Sequence, residues 1–571
     1  MSSRSKVFLV LGGLVTVLAL GVVAILLAVK LATGHVPGRA VLVLDLSGPI
    51  PEATPDTPFG ELFGPRPASL MDLRDALAKA AGDDRIRVVR VKVGDIVADF
   101  AVIQEIRGHL ARVADAGKAT IAYLETAGEF APGNAQYYLA SGCQRIVLNP
   151  MGDINLTGLS VRSPFVRGML DKLGIEPDFL GIGDYKTARF FYSEKDFTPA
   201  HREMIGWLVD SLMSQLTAGV GEARGLSPQQ VRALMDRGPF IAREAVAEKL
   251  VDELADWPSF AEASRRGEGG TLTEVSLRHY LKSGRPDRSG SEIAVVVAEG
   301  SILRGDSGYS PVPLFGGDIM GSDTIARAFR QVRDSRAKAV VFRINSPGGS
   351  AVASELIREE MVRTAKQIPV VVSMGGVAGS GGYWIACGAN RIVADPGTIT
   401  ASIGVFGGHF AMERFWTDRL GVSWGRLDTG PAASIYGSLE PWTPEQRVRV
   451  EKLLDRIYDA FVDRVSTSRG LSREAVDAIG RGRVFTGEQA RDKGLVDVLG
   501  GFDVALAEAR ALANLAPDAS VSLEIYPRPQ PIWQQLTGRE EQSRTAELLR
   551  VLAEGRLETP GAVWMPPLLV R

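Results

Sequence analysis

Internal repetition constrains this chain more than any other feature of its sequence. Val41-Leu-Val-Leu-Asp-Leu-Ser-Gly-Pro-Ile50 has a counterpart in Ile293-Ala-Val-Val-Val-Ala-Glu-Gly-Ser-Ile302. Tyr137-Tyr-Leu-Ala-Ser-Gly-Cys-Gln-Arg-Ile146 matches Tyr383-Trp-Ile-Ala-Cys-Gly-Ala-Asn-Arg-Ile392. Phe240-Ile-Ala-Arg-Glu-Ala-Val-Ala-Glu-Lys-Leu-Val-Asp252 matches Phe485-Thr-Gly-Glu-Gln-Ala-Arg-Asp-Lys-Gly-Leu-Val-Asp497. The order is kept at a spacing of about 250 residues, so the body is a tandem duplication.

Each unit alternates apolar, β-branched strands with helical stretches, as in Ala339–Ile344, then residues 353–366, then Val370–Ser373. That alternation predicts an α/β architecture with function at the carboxyl ends of strands. Residues 258–290, rich in Ser, Gly, Arg and Glu, read as a surface connector. The expected division is 1–39 as an anchor with its flanks, 40–257 as the first repeat, 258–290 as linker, 291–522 as the second repeat and 523–571 as a C-terminal tail.

Val7 to Val29 carries no charge. At ~1.5 Å per residue it can cross about 30 Å of hydrocarbon. Lys30 occupies the approach to the one small-residue cleavage site, near Ala32, so the run is expected to stay as a transmembrane helix. Arg4 and Lys6 before it favour a cytoplasmic N-terminus, with the body across the membrane. Net charge is −2 with no basic stripe, which argues against a nucleic-acid partner. Cys143 and Cys387 lie among apolar neighbours with no CxxC or Cys/His cluster, so two buried free thiols and no metal site are expected.

Two glycine-rich turns stand out. Arg343-Ile-Asn-Ser-Pro-Gly-Gly-Ser350 ends a strand, and its glycines let backbone N–H groups face outward. Met374-Gly-Gly-Val-Ala-Gly-Ser-Gly-Gly382 follows a strand and precedes an apolar helix, which puts the Ser380 hydroxyl at a helix N-terminus. Developing negative charge is favoured there, so Ser380 is a candidate nucleophile; the competing use is a helix cap. Ala378 replaces the first glycine of G-x-S-x-G, so this is not a nucleophile elbow. A base could be His409 or a lysine. Lys186, in the aromatic-rich stretch Gly181-Ile-Gly-Asp-Tyr-Lys-Thr-Ala-Arg-Phe-Phe191, would serve only if burial lowered its pKa; exposed, it is an ordinary surface lysine.

Asp184-Tyr-Lys-Thr-Ala188, Asn345-Ser-Pro-Gly-Gly-Ser350, Gly375-Gly-Val-Ala-Gly-Ser-Gly-Gly-Tyr-Trp384 and Thr400-Ala-Ser-Ile-Gly404 together resemble the S49 serine peptidase family in its long, signal-peptide-peptidase form. The likeness covers both repeats. It implies Ser380 as nucleophile, Lys186 as general base, Ser402 as a hydroxyl orienting the lysine, and Gly348, Gly349 and Gly381 as the oxyanion cradle. It further implies a duplicated ClpP/crotonase-like fold, a bowl-shaped homotetramer, no cofactor, and signal peptides as substrates at the bacterial inner membrane, with the body on the extracytoplasmic side.

Aligning the repeats puts Asn134 opposite Ser380 and Pro431 near the place of Lys186, so each half lacks what the other has. One complete site then requires both halves. Asp184, where the family commonly has a basic or polar residue, would raise the lysine pKa if it stood close. Two rival readings are a crotonase-like acyl-CoA enzyme and an inactive membrane-anchored scaffold. The separation of Lys186 from Ser380 tests the second.

Overall fold

The computed structural model describes residues 36–53, 67–267, 270–283, 290–310, 317–528 and 562–563. The expected anchor Val7–Val29 lies outside them. Among the described residues no helix is long and apolar enough to cross a membrane.

The first repeat is built on a parallel sheet. In chain order it comprises β1 (Ala40–Pro49), β2 (Ile86–Val97), β3 (Ala119–Leu124), β4 (Arg145–Leu148), β6 (Glu253–Leu254) and β7 (Thr273–Ser276), in the spatial order β7-β1-β2-β3-β4-β6; β5 (Glu176–Gly181) stands apart. Helices α1 (Leu70–Gly82), α2 (Phe100–Asp115), α3 (Asn134–Ala140) and α4 (Pro199–Arg224) surround it. Ser69 opens α1 with a capping box, donating and accepting with Asp72.

The second repeat rebuilds that plan with β8 (Ser291–Glu299), β9 (Ser301–Leu303), β10 (Ala339–Ser346), β11 (Gly349–Ser350), β12 (Val370–Gly379), β13 (Arg391–Ala394), β14 (Ile399–Ala401), β15 (Phe406–Ala411), β16 (Val484–Thr486), β17 (Val498–Leu499) and β18 (Val521–Tyr526). Its main sheet runs β16-β14-β12-β10-β8-β18, with β13 beside β12 and β17 beside β13, parallel except at β14/β16. Ala339 to Ile344 is buried along its whole length, as expected in a two-sided parallel sheet, with Arg343 the one charged side chain in an otherwise apolar run.

The duplication extends to single hydrogen bonds. Tyr137 Oη donates to Leu250 O at 2.8 Å, and Tyr383 Oη to Leu495 O at 2.9 Å. Asp252 accepts Ile146 N–H and pairs with Arg224; Asp497 accepts Ile392 N–H and pairs with Arg469. Helix α4 and its counterpart Pro444–Arg469 are both 26 residues long, each with a threonine N-cap, a proline in the first turn and a left-handed glycine at the end.

Two expected boundaries move. The stretch 258–290 is not a plain connector: β7 pairs with β1, and α5 (Leu277–Lys282) buries Tyr280, whose Oη reaches Asp83 at 3.0 Å. Its buried apolar side chains, Phe260, Leu272, Val275, Leu277 and Tyr280, are scattered among polar residues and form no long apolar run. At the other end the second sheet continues past 522 to Tyr526, because Val521–Tyr526 aligns with β8 as an edge strand. From the rest of the tail, β19 (Ala562–Val563) pairs antiparallel with β11.

The two repeats dock on several surfaces, first along the second sheet. The second repeat carries helices α6 (Ser322–Arg333), α7 (Ala351–Ala365), α8 (Gly381–Ala386), α9 (Pro444–Arg469) and α10 (Phe502–Leu512); Ile293, Val295, Ala339, Val341, Val371 and Val393 form one face of its sheet, packed by Phe502 and Leu506 of α10 and by Met71 of α1. Secondly, β5 of the first repeat and β15 of the second make an antiparallel ribbon in which Gly181 faces Phe406. That ribbon leads directly into the segment carrying Lys186.

Candidate active site

Strand β12 and helix α8 meet at Ser380, which is fully buried. Its backbone has φ 56 and ψ −113, a conformation disfavoured for a residue with a side chain. The Ser380 amide is tied to Ala401 O at 2.7 Å and its carbonyl accepts Trp384 N–H, so both neighbours hold the sharp strand-to-helix turn. No hydrogen bond caps α8 through the serine side chain, which sets aside the helix-cap alternative.

Lys186 arrives from the first repeat. Ile182 N–H bonds Val405 O and Tyr185 N–H bonds Arg481 O, so the second repeat grips the segment on both sides. A Cβ at Gly482, whose φ is +88, would run into the Lys186 backbone, and one at Gly404 would lie 3.3 Å from its Cδ. These two glycines form a slot for the lysine stem. Sequence reasoning missed both; the signal was Gly480-Arg-Gly482 and the close of Ile403-Gly404.

Lys186 Nζ lies 2.7 Å from Ser380 Oγ, 2.9 Å from Ser402 Oγ and 3.2 Å from Ser402 O. Only 1% of the residue is exposed, and burial lowers its pKa to about 7. A neutral amine has one lone pair and two N–H donors, and the three contacts match: it can accept from Ser380 and donate twice to Ser402. Ser402 and Ala401 both adopt positive φ, 54 and 68, which turns the Ser402 hydroxyl and carbonyl onto the same amine. Asp184 points away, largely exposed and 3.8 Å from Arg481, so it does not oppose the burial effect. The wide separation that would favour an inactive scaffold is not found.

His409 is elsewhere. Its Nε2 contacts Glu440 O at 3.0 Å and its ring packs on Trp442.

The glycine cradle is assembled next to Ser380, with one difference from expectation. A Cβ on Gly381 would lie 3.1 Å from Gly349 N, 3.2 Å from Gly348 Cα and 2.6 Å from Ser354 Oγ, so Gly381 and Gly349 adjoin and neither tolerates a side chain. The Gly348 amide, however, is spent on Ser346 Oγ at 3.1 Å. That leaves the amides of Gly349 and Gly381 as the candidate donors, the first of them on the strand that also pairs with β19.

In the first repeat, Asn134 Nδ2 donates to Gly158 O while its Oδ1 accepts from Thr157 and Gly158 amides. It closes a turn where the second repeat presents Ser380. Cys143 and Cys387 are buried free thiols, each raised to about 12 by burial. Among the described residues no group of three or more His, Cys, Asp or Glu side chains could hold a metal ion.

Behind the site, Arg343 of β10 is buried and bridges the repeats. It donates to Glu52 at 2.8 and 3.2 Å, to Glu105 of α2 at 2.8 Å and to Ser373 Oγ at 2.9 Å. Burial opposes its charge, but the two carboxylates outweigh that and raise its pKa.

The sequence matches the model of peptidase family S49 twice, at residues 114–267 and 363–516. Protease 4 of Salmonella typhi is 35% identical over 505 residues, covering 84% of this chain and 79% of that protein. The chloroplastic serine protease SPPA of Arabidopsis thaliana is 31% identical over 476 residues, covering 81% of this chain and 68% of its own. Among solved structures, a ClpP1 mutant from Listeria monocytogenes aligns at a TM-score of 0.25 and 16% identity, over 37% of this chain and 94% of that one. The chain belongs to peptidase family S49. It is a serine protease.

Proposed function

We propose that this chain is a membrane-anchored endopeptidase in which Lys186 is the general base for Ser380, acting on signal peptides and similar apolar peptides. The observation that carries this reading is the 2.7 Å approach of Lys186 Nζ to Ser380 Oγ within a fully buried cell. Neutral Lys186 takes the Ser380 proton as Oγ attacks the peptide carbonyl. Gly349 and Gly381 amides receive the oxyanion, in a site shielded from water where such donors are worth most. The ammonium of Lys186 then gives its proton to the leaving amine. Water, deprotonated by the same lysine, releases the acyl group and restores Ser380.

A peptide substrate suits the edge of β11. That edge holds β19 as an antiparallel partner, so an extended substrate backbone can take the same place across Gly349 beside Ser380 when β19 gives it up. In this proposal Val7–Val29 anchors the body on the extracytoplasmic side of a bacterial inner membrane, near apolar peptides left in the bilayer, and the chain assembles as a homotetramer. The test is hydrolysis of a signal-peptide substrate by purified Ser380→Ala and Lys186→Ala proteins, with fluorophosphonate labelling of Ser380 in parallel. Both variants should be inert, and labelling should need Ser380. Full activity in Lys186→Ala would sink the dyad, and an unlabelled Ser380 would favour acyl-CoA chemistry.

A further inference from the structure

We infer that Ser346 is a positioning residue for the oxyanion cradle, setting the direction of the Gly349 amide; this rests on the Ser380–Lys186 reading above. Val340, Phe342 and Ile344 put apolar side chains into the core on one face of β10, and Ser346 is next on that face, fully buried. A hydroxyl in such a place is costly unless both its hydrogen-bonding roles are used. They are: Oγ donates to Gly300 O at 2.7 Å and accepts from Gly348 N–H at 3.1 Å.

The consequence falls on the next peptide. Gly348 O accepts Ile302 N–H of β9 at 2.9 Å. In a trans peptide the N–H points opposite to the C=O, so the Gly349 amide faces away from β9. Gly381 stands on that side, its position for a Cβ only 3.1 Å from Gly349 N. Gly348 has φ 104, a conformation open to glycine, and a glycine hinge lets a peptide plane swing unless something pins it. Ser346 supplies one pin, at Gly348 N, and Ile302 the other, at Gly348 O. Ser346 is itself moored to the turn at Gly300, whose amide returns to Asn345 O at 2.9 Å. Without the Ser346 hydroxyl, Gly348 N–H and Gly300 O both lose their partner. The plane carrying the Gly349 N–H is then held by Ile302 alone, with the Gly348 hinge behind it unpinned, and the Gly349 donor shifts from its line to the substrate carbonyl.

Because the oxyanion exists only after attack, the loss should fall on the chemical step and spare substrate binding. In the full-length Ser346→Ala protein, kcat on a peptide substrate should fall by about 10- to 100-fold with KM within about 2-fold of wild type. The inhibition constant of a peptide aldehyde, whose adduct carries the same oxyanion, should rise by the factor by which kcat/KM falls. The pH midpoint should stay at that of wild type, since the lysine is untouched. Ser346→Cys, similar in size but a weaker partner, should show the same pattern more mildly and covers the case in which the alanine variant does not fold. Unchanged kcat in folded Ser346→Ala, or a fall in kcat without matching loss of aldehyde affinity, overturns the inference. Ser380→Ala is run alongside: residual hydrolysis there defeats the underlying reading, whereas inert Ser380→Ala with wild-type-like Ser346→Ala defeats only this one.

Discussion

Lys186 Nζ and Ser380 Oγ stand 2.7 Å apart although 194 positions separate them in the chain and each comes from a different repeat. Burial brings the lysine to about 7. A base must be neutral to act, so kcat/KM should rise with pH with a slope of about one below that value and level off above it. A pH–rate profile on a peptide substrate checks this. A midpoint near 10, the ordinary lysine value, would show that the amine is solvated in the working enzyme.

The same shift should be visible in stability. The folded-state value of about 7 lies below the ordinary lysine value of 10.5, so between them the unfolded chain binds the extra proton and stability rises with pH. Below pH 7 the penalty is fully present, on the order of 5 kcal/mol; above 10.5 it is gone. Lys186→Met keeps the bulk and discards the amine. It should therefore be inactive yet harder to unfold at pH 6, with the advantage shrinking as pH approaches 10. Chemical denaturation at several pH values measures it, and a pH-independent difference would count against a buried neutral lysine.

What the sequence disclosed and what it hid divide along one physical line. The duplication, the strand-turn-helix order and the glycine turns are local patterns, and so Ser380, Gly349 and Gly381 were legible. Lys186 was not legible from its own neighbourhood. Its burial is made by Gly404 and Gly482, over 200 residues away, so its aromatic stretch made it a candidate base and only the family resemblance chose that over a surface lysine. Gly348 could not be told from Gly349, because a sequence shows that an amide exists but not that Ser346 already uses it. Nothing local marks Arg343 as a buried charge, because its partners Glu52 and Glu105 lie in the other repeat. The stretch 258–290 hid β7 because a short edge strand needs few apolar residues.

The first repeat should be beyond rescue by a single change. Asn134 aligns with Ser380, but its amide is engaged with Thr157 and Gly158, and in the alignment of the repeats Pro431 falls near the place of Lys186. Asn134→Ser introduced into a Ser380→Ala background should give no peptide hydrolysis and no fluorophosphonate labelling. Activity there would mean that a base other than a second-repeat lysine exists near α3.

The buried clasp between repeats should carry a large share of their docking. Arg343 spreads its guanidinium over Glu52 and Glu105, and Glu105 also takes the Phe502 N–H of α10 at 2.6 Å. Glu105→Ala removes an acceptor from both at once. Arg343 is then left buried and half-paired, and breaking one side of such a cluster typically costs about 3–5 kcal/mol. Glu105→Gln keeps an acceptor for Phe502 and should cost less. Replacing the whole set, with Arg343→Met, Glu52→Gln and Glu105→Gln together, removes the uncompensated charge and should recover much of the loss, since ionic clusters of this kind are often no more stabilising than neutral packing. Urea unfolding of the three proteins at pH 7 orders them. If Glu105→Ala unfolds within about 1 kcal/mol of wild type, the two repeats are held by the apolar face around Met71 and Phe502, and the clasp contributes specificity of docking without strength.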